Sequence, residues 1–227
     1  VNQPGQGPVL KLLNIITSNR LKKFCLKANG ISYVTEHSIQ KHYPAYSMLH
    51  GETNEHFHTY YSTITLSDKA FTGPRDFTNN VSIKLVLSSV AMNSERKGEK
   101  VVIETVKKCR DLGYEVSAIL IGDGTLRKSF EDYANQLGID QYIEFTGLLP
   151  SSDHVREVMQ NADMFVFPTM GEGLPRGILE AMAIGMPVLS TPVGGIPEVI
   201  DRKYLFDPLD SDGFAKMICH LIDNKNE

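Results

Sequence analysis

The sequence predicts an α/β protein built on a Rossmann-like, doubly wound parallel sheet. Three observations carry that expectation. Strand-like and helix-like segments alternate from about residue 80 onward, the strand-like runs are apolar on both faces, and glycines close successive helices.

Each element has its own signal. IKLVLSSV (83–90) is an apolar, β-branched run of the kind buried in a parallel sheet. GEKVVIETVKKCRDLG (98–113) repeats apolar residues at helical spacing through Val102, Val106 and Cys109 and stops at Gly113. EVSAILIG (115–122) reads as a second strand and TLRKSFEDYANQLG (125–138) as a second helix with its own glycine stop. YIEFTG (142–147), SDHVREVMQNA (152–162) and MFVFP (164–168) supply a third strand, a third helix and a fourth strand. In GEGLPRGILEAMAIGMP (171–187) a glycine loop runs into a helix. There Pro175 suits the first helical position, Ile178, Leu179, Met182 and Ala183 recur at helical spacing, and Gly185 suits the residue just past the end. That spacing places Glu172 in the loop and Glu180 about two turns into the helix. PVLST (187–191), IPEVI (196–200) and KYLFDP (203–208) follow. In such sheets ligands bind beyond the carboxyl ends of the strands, so the strand-to-helix loops are where chemistry is expected.

Residues 1–80 break the pattern. VLKLLNIITSNRLKKFCLKANG (9–30) reads as an amphipathic helix carrying Lys11, Arg20, Lys22, Lys23 and Lys27 without an acidic residue. Its plain reading is a solvated basic face; contact with a membrane surface or an acceptor is the second. ISYVTEHSIQKHYP (31–44) looks like one strand and one short helix, and 51–80 like a polar linker with one short extended piece. One strand with its helices cannot close a sheet. The expected organisation is therefore a remnant of an N-terminal domain over 1–50, a linker over 51–80, and a ligand-binding domain over 81–227. The sequence opens on Val1, which reads as a piece of something longer.

Composition narrows the function. A formal net charge of −4 argues against a nucleic-acid partner. Three widely spaced cysteines (Cys25, Cys109, Cys219) with no CxxC read as reduced thiols of a cytoplasmic protein. No apolar run approaches the roughly 20 residues that a bilayer needs. HFH (56–58), even with His50, lacks acidic or cysteine partners at ligand spacing, so no metal is expected there. No Ser-His-Asp or Cys-His arrangement can be argued.

Four loops remain. GDGTLR (122–127) lets backbone approach a ligand at a helix start, but it is a poor dinucleotide fingerprint because Arg127 stands where a third glycine belongs. SERKGEK (94–100) puts Arg96 and Lys97 at a helix start, where cations oppose the dipole unless an anion sits there too. PTMGEGLPRG (168–177) offers two glycines at a helix N-terminus, suited to phosphate. Glu172 beside it repels phosphate but accepts strongly from sugar hydroxyls, and Glu180 could do the same for a ribose diol. TPVGGIPEVI (191–200) adds a Gly-Gly turn before a short helix and reads as structural.

Taken together, KGEKVVIETV, ILIGDGTLRKSFEDYANQLGI, IEFTGLLP and NADMFVFPTMGEGLPRGILEAMAIGMPVLSTPVGGIPEVI resemble the nucleotide-binding half of retaining, two-domain (GT-B) glycosyltransferases of the GT4 type, over roughly 81–210. The resemblance implies transfer of a sugar from a nucleotide diphospho-sugar to a glycan or lipid-linked hydroxyl acceptor, without metal or cofactor. Glu172 and Glu180 match the E-x7-E motif, implying that Glu172 touches the donor sugar and Glu180 the ribose. Lys97 matches the lysine that holds the diphosphate and stabilises the leaving group. The family's arginine five residues earlier is here Met92, with Arg96 as its stand-in. Gly122, Asp123 and Gly124 match the turn beside the nucleoside, Gly147 and Leu148 the base-contacting strand end, and Gly171, Gly173 and Leu174 the backbone near sugar and diphosphate. ISYVTEHSIQKHYP is similar to the end of the acceptor domain, and a histidine at the sugar is placed in the absent part. The sequence is read as having no D-x-D to hold a metal. A non-catalytic nucleotide-binding module and a nucleotide-sugar epimerase of the same fold stay open as alternatives.

Overall fold

The computed structural model describes residues 7–62, 64–73, 75 and 82–224. Residues 63, 74 and 76–80 of the expected linker, 1–6 of the expected remnant, and 81 and 225–227 of the expected ligand-binding domain lie outside the described residues.

The N-terminal part holds α1 (Pro8–Cys25), β1 (Gly30–Tyr33), α2 (Ser38–His42), α3 (Tyr46–His50) and β2 (Phe57–Tyr60). α1 stops five residues before the predicted end because Gly30 already pairs with Phe57 in a two-stranded parallel ladder. It is also less amphipathic than expected. None of its residues is buried, and apolar side chains such as Leu10, Leu12, Leu13, Ile15 and Ile16 are all exposed. At about 100° per residue they spread over more than half of the circumference, the pattern of a helix covered on several sides rather than on one.

Beyond the linker the alternation appears as read. β3 (Ile83–Ala91), α4 (Glu99–Asp111), β4 (Val116–Asp123), α5 (Arg127–Gln136), β5 (Ile143–Gly147), α6 (Ser152–Gln160), β6 (Met164–Phe167), α7 (Arg176–Ala183) and β7 (Val188–Ser190) follow in order. The five strands pair in parallel in the order β5-β4-β3-β6-β7. Leu85, Val86, Leu87, Leu120, Phe165 and Leu189 are fully buried, which is why these strands read as continuous apolar runs. Helices on both faces complete the core, among them α8 (Ser211–Asp223), which the sequence reading left unassigned. α8 packs on α4, where the Cys109 and Cys219 sulfurs lie 3.9 Å apart as free thiols.

IPEVI and KYLFDP form single 3-10 turns, Ile196–Glu198 and Arg202–Tyr204. The linker is more than a spacer. Thr72 N–H donates to the Ala183 carbonyl (2.9 Å), and the Arg75 guanidinium donates to the carbonyls of Ile184, Met159 and Ala162. One side chain thus serves the C-terminal ends of both α6 and α7, where carbonyls are unpaired and cations are favoured. Among the described residues no helix is long and apolar enough to cross a membrane.

Candidate functional site

The strand order reverses between β3 and β6. Loops there diverge to opposite faces of the sheet and leave a crevice at the carboxyl ends of the strands. A cleft of about 700 Å³ occupies that place. The end of β3 (Ser88 to Ala91), the 93–97 loop and Phe167 form one side. Glu172, residues 174–177, Glu180 and the first turn of α6 (Ser152, Val155) form the other.

Five of the expected residues meet in this cleft: Arg96, Lys97, Glu172, Leu174 and Glu180. Lys97 Nζ is paired with Glu172 Oε1 and stands 5.5 Å from the Phe167 ring centre. Arg96 Nη1 donates to the Gly171 carbonyl, and the Met170 N–H donates to the Arg96 carbonyl (2.9 Å), so the two loops are knitted together. Met92, expected at the arginine position of the resemblance, is fully buried in the core, and the guanidinium groups at the cleft are those of Arg96 and Arg176. Glu180 is 8% exposed, and among the described residues no donor is paired with its carboxylate. Burial pushes its carboxyl above the ordinary range, partly offset by the charges of Arg176 and Arg156. The helix that bears it begins at Arg176, with Pro175 as N-cap. Glu180 therefore lies about one turn in rather than two, nearer the helix start and the loop.

The remaining expected residues lie around the cleft rather than in its wall. Gly122, Asp123 and Gly124 end β4, and a Cβ at Gly122 would fall 1.6 Å from the Ser89 carbonyl oxygen. This turn backs the floor of the cleft: Met92 N–H donates to the Asp123 carbonyl (2.8 Å) and Thr125 N–H to Asn93 Oδ1 (2.9 Å). Gly147 ends the edge strand β5 and Leu148 is exposed beside it. Gly171 and Gly173 flank Glu172, and the Gly173 carbonyl accepts from Gly195 N–H.

Several residues escaped the sequence reading. The Glu198 carboxylate accepts backbone N–H bonds from Glu36 (2.8 Å), His37 (3.1 Å) and Ser38 (2.6 Å), in the loop after β1. Burial pushes its carboxyl up, but the hydroxyl and amide donors of that loop win and hold it below its ordinary value. No local pattern reveals a contact about 160 residues apart. His37, in the middle of the same loop, is an exposed imidazole 3.7 Å from the Glu36 carboxylate. Glu99, the first residue of α4, is fully buried directly after the Lys97-Gly98 turn; neither carboxylate oxygen has a partner at hydrogen-bond distance, and the nearby Ser89 hydroxyl and its own amide offset its burial only in part. The triplet Asp210-Ser211-Asp212 has D-x-D spacing that the reading passed over, and the structure uses it otherwise. Asp210 caps α8 through Gly213 N–H (2.8 Å), and Asp212 pairs with Lys108. His50 and His56 stack on Tyr46, and His58 Nδ1 lies 3.0 Å from the Ser47 hydroxyl. Among the described residues no group of three or more His, Cys, Asp or Glu is placed to hold a metal.

Residues 84–224 match the family described as Glycosyl transferases group 1. The chain belongs to that family. Among the relatives of this group 1 chain is Protein CapJ of Staphylococcus aureus, 27% identical over 207 residues, which cover 90% of this chain and 49% of CapJ. The C-terminal domain of a group 1 glycosyl transferase (LpcC) from Francisella tularensis superposes with a TM-score of 0.60 at 23% identity, covering 71% of this chain and 90% of that one. Anabaena Alr3699/HepE, solved in complex with UDP-glucose, superposes with a TM-score of 0.68 at 20% identity, covering 94% of this chain and 60% of that one. At these identities the structural likeness concerns the fold, the Rossmann-like half of a GT-B architecture. The group 1 chain spans about half or less of the length of the curated relatives it matches.

Proposed function

We propose that this chain is the donor-binding half, with the tail of the acceptor-binding half, of a GT4-type transferase. The parent enzyme moves a sugar from a nucleotide diphospho-sugar to a glycan or lipid-linked hydroxyl acceptor in the cytoplasm, with retained configuration. One observation carries the reading. Two carboxylates and a lysine line one cleft at the strand-order reversal, and one of those carboxylates is buried with no donor of its own.

Each group has a role that its surroundings suit. Glu180 accepts from the ribose diol, which supplies the donors its buried carboxylate lacks. Lys97 leaves Glu172 for the diphosphate, and Glu172, released, accepts from the hydroxyls of the sugar. When the sugar–phosphate bond breaks and the acceptor oxygen bonds to the sugar, negative charge grows on the departing diphosphate, whose freed oxygen takes up the proton that the acceptor hydroxyl gives up. Lys97, Arg96 and the N–H groups at the start of α7 stabilise that charge, where most of the rate gain of such a transfer lies. In this reading no metal or cofactor takes part.

Calorimetric titration with UDP, GDP and ADP tests the proposal, on the chain and on Lys97→Met. Saturable binding of one nucleotide, weakened roughly tenfold or more in the variant through loss of a charge-assisted bond, is the expected result. Absence of saturable binding by all three overturns it.

A further inference from the structure

Three short segments meet at the turn that carries Glu172. From one side come Gly194 and Gly195: a Cβ at Gly194, whose φ is +59°, would lie 2.0 Å from the Glu172 carbonyl oxygen, and Gly195 N–H donates to the Gly173 carbonyl. The other side is the end of β1 and the residues after it. A Cβ at Gly173 would lie 2.7 Å from Val34 Cγ2, and one at Gly195 would lie 2.6 Å from Thr35 Cγ2. The Glu172–Gly173 turn is thus held between a Gly-Gly turn of the donor domain and a segment from the N-terminal part. Glu198 closes this assembly. It stands three residues after Gly195, and its carboxylate takes the three successive amides of residues 36–38. A buried Thr35 hydroxyl, donating to Gln40 Oε1 at 2.7 Å, stiffens the same segment from within.

We infer that Glu198 is a positioning residue for the sugar end of the site: it draws the 34–38 segment onto the Glu172–Gly173 turn and so fixes where the Glu172 carboxylate stands. The inference rests on the proposed donor role of Glu172, but the latch itself does not. Glu198 touches no cleft group, so it acts on Glu172 only through the backbone packed between them. Removing the carboxylate frees three amides, releases Val34 and Thr35 from the glycines, and loosens the Gly195–Gly173 bond.

Amide hydrogen exchange on the ligand-free chain reads this directly. In Glu198→Ala the amides of Glu36, His37, Ser38 and Gly195 should exchange at least tenfold faster, with Leu85 to Leu87 in β3 unchanged. Glu198→Gln, which keeps one accepting oxygen, should restore part of that protection. Unchanged exchange at Gly195, or acceleration spread equally into β3, overturns the inference, because then Glu198 either does not support the turn or serves the whole fold. Titration with UDP and UDP-glucose adds the functional arm. Glu198→Ala should keep UDP affinity within twofold while losing whatever increment the glucose gives the unaltered chain. Equal loss for both ligands also overturns the positioning role. If the unaltered chain binds neither ligand nor the other nucleotides, the donor reading falls, while the exchange result still decides the latch.

Discussion

Glutamine at position 180 separates the two effects of one carboxylate. The side chain is 8% exposed, lines the cleft, and has no paired donor among the described residues. In the ligand-free protein its ionised form is therefore a liability, while in the role proposed for it, toward a ribose diol, it is a charged acceptor for two hydroxyls. A hydrogen bond to a charged group contributes about 1.5–3 kcal/mol and one between neutral groups about 0.5–1.5. Glu180→Gln should thus lose about 2–3 kcal/mol over two ribose bonds, or roughly 30- to 150-fold in the dissociation constant. Stability should move the other way. Because the folded carboxyl titrates above its ordinary value, the folded state binds more protons than the unfolded one, and stability falls as pH rises through that window. Glutamine removes that slope, so the variant should melt higher than the unaltered chain at neutral pH and lose the advantage under acid conditions. Calorimetry and thermal denaturation at two pH values check both signs. Unchanged nucleotide affinity, or a loss of affinity together with a loss of stability, would refute the argument, since either would place Glu180 in the scaffold rather than in the site.

Two further substitutions probe groups that the fold itself holds. Glu99→Met exchanges a fully buried, unpaired carboxylate for an apolar side chain of similar length. It should stabilise by about 1–3 kcal/mol, about 2–4 °C in Tm for each kcal/mol. Burial raises the Glu99 carboxyl, so its cost grows as pH rises, and the gap between variant and parent should be wider at about pH 8 than at about pH 5. Equal gaps at both values, or a lower Tm, would show that the carboxylate is satisfied in solution. Arg75→Met strips the charged donor from the ends of α6 and α7 and should destabilise by about 1.5–3 kcal/mol in thermal or urea denaturation. A change below about 0.5 kcal/mol would mean that the linker does not bind there.

Much of the five-stranded α/β part was legible because its signals are local. The inner strands β3, β4 and β6 are apolar on both faces, so they show as nearly continuous runs, whereas the edge strand β5 carries an exposed Glu144, and the glycine stops mark where helices must end. The spacing of Glu172 and Glu180 was equally legible, since both lie on one loop-helix unit, although the helix start was misplaced by one residue. The N-terminal part was harder. Exposed apolar residues on α1 imitate a packed amphipathic face, while β2, the short extended piece read within 51–80, is fixed by backbone pairing with β1 and leaves its side chains mostly exposed. The D-x-D spacing at Asp210 shows the converse: a pattern with a familiar meaning served as a helix cap once its place in the chain was known.

By itself the sequence determined the alternation of elements, and with it a sheet whose order reverses somewhere and a ligand face at the strand ends. Which residues face one another across that reversal was decided only in three dimensions. Lys97 meets Glu172 across 75 positions, Arg75 reaches the Ile184 carbonyl across 109, and Glu198 reaches the Glu36 amide across 162. Periodicity reports the surroundings of a residue along its own element. Such pairings depend instead on strand order and on the path by which distant loops return, which no local pattern encodes.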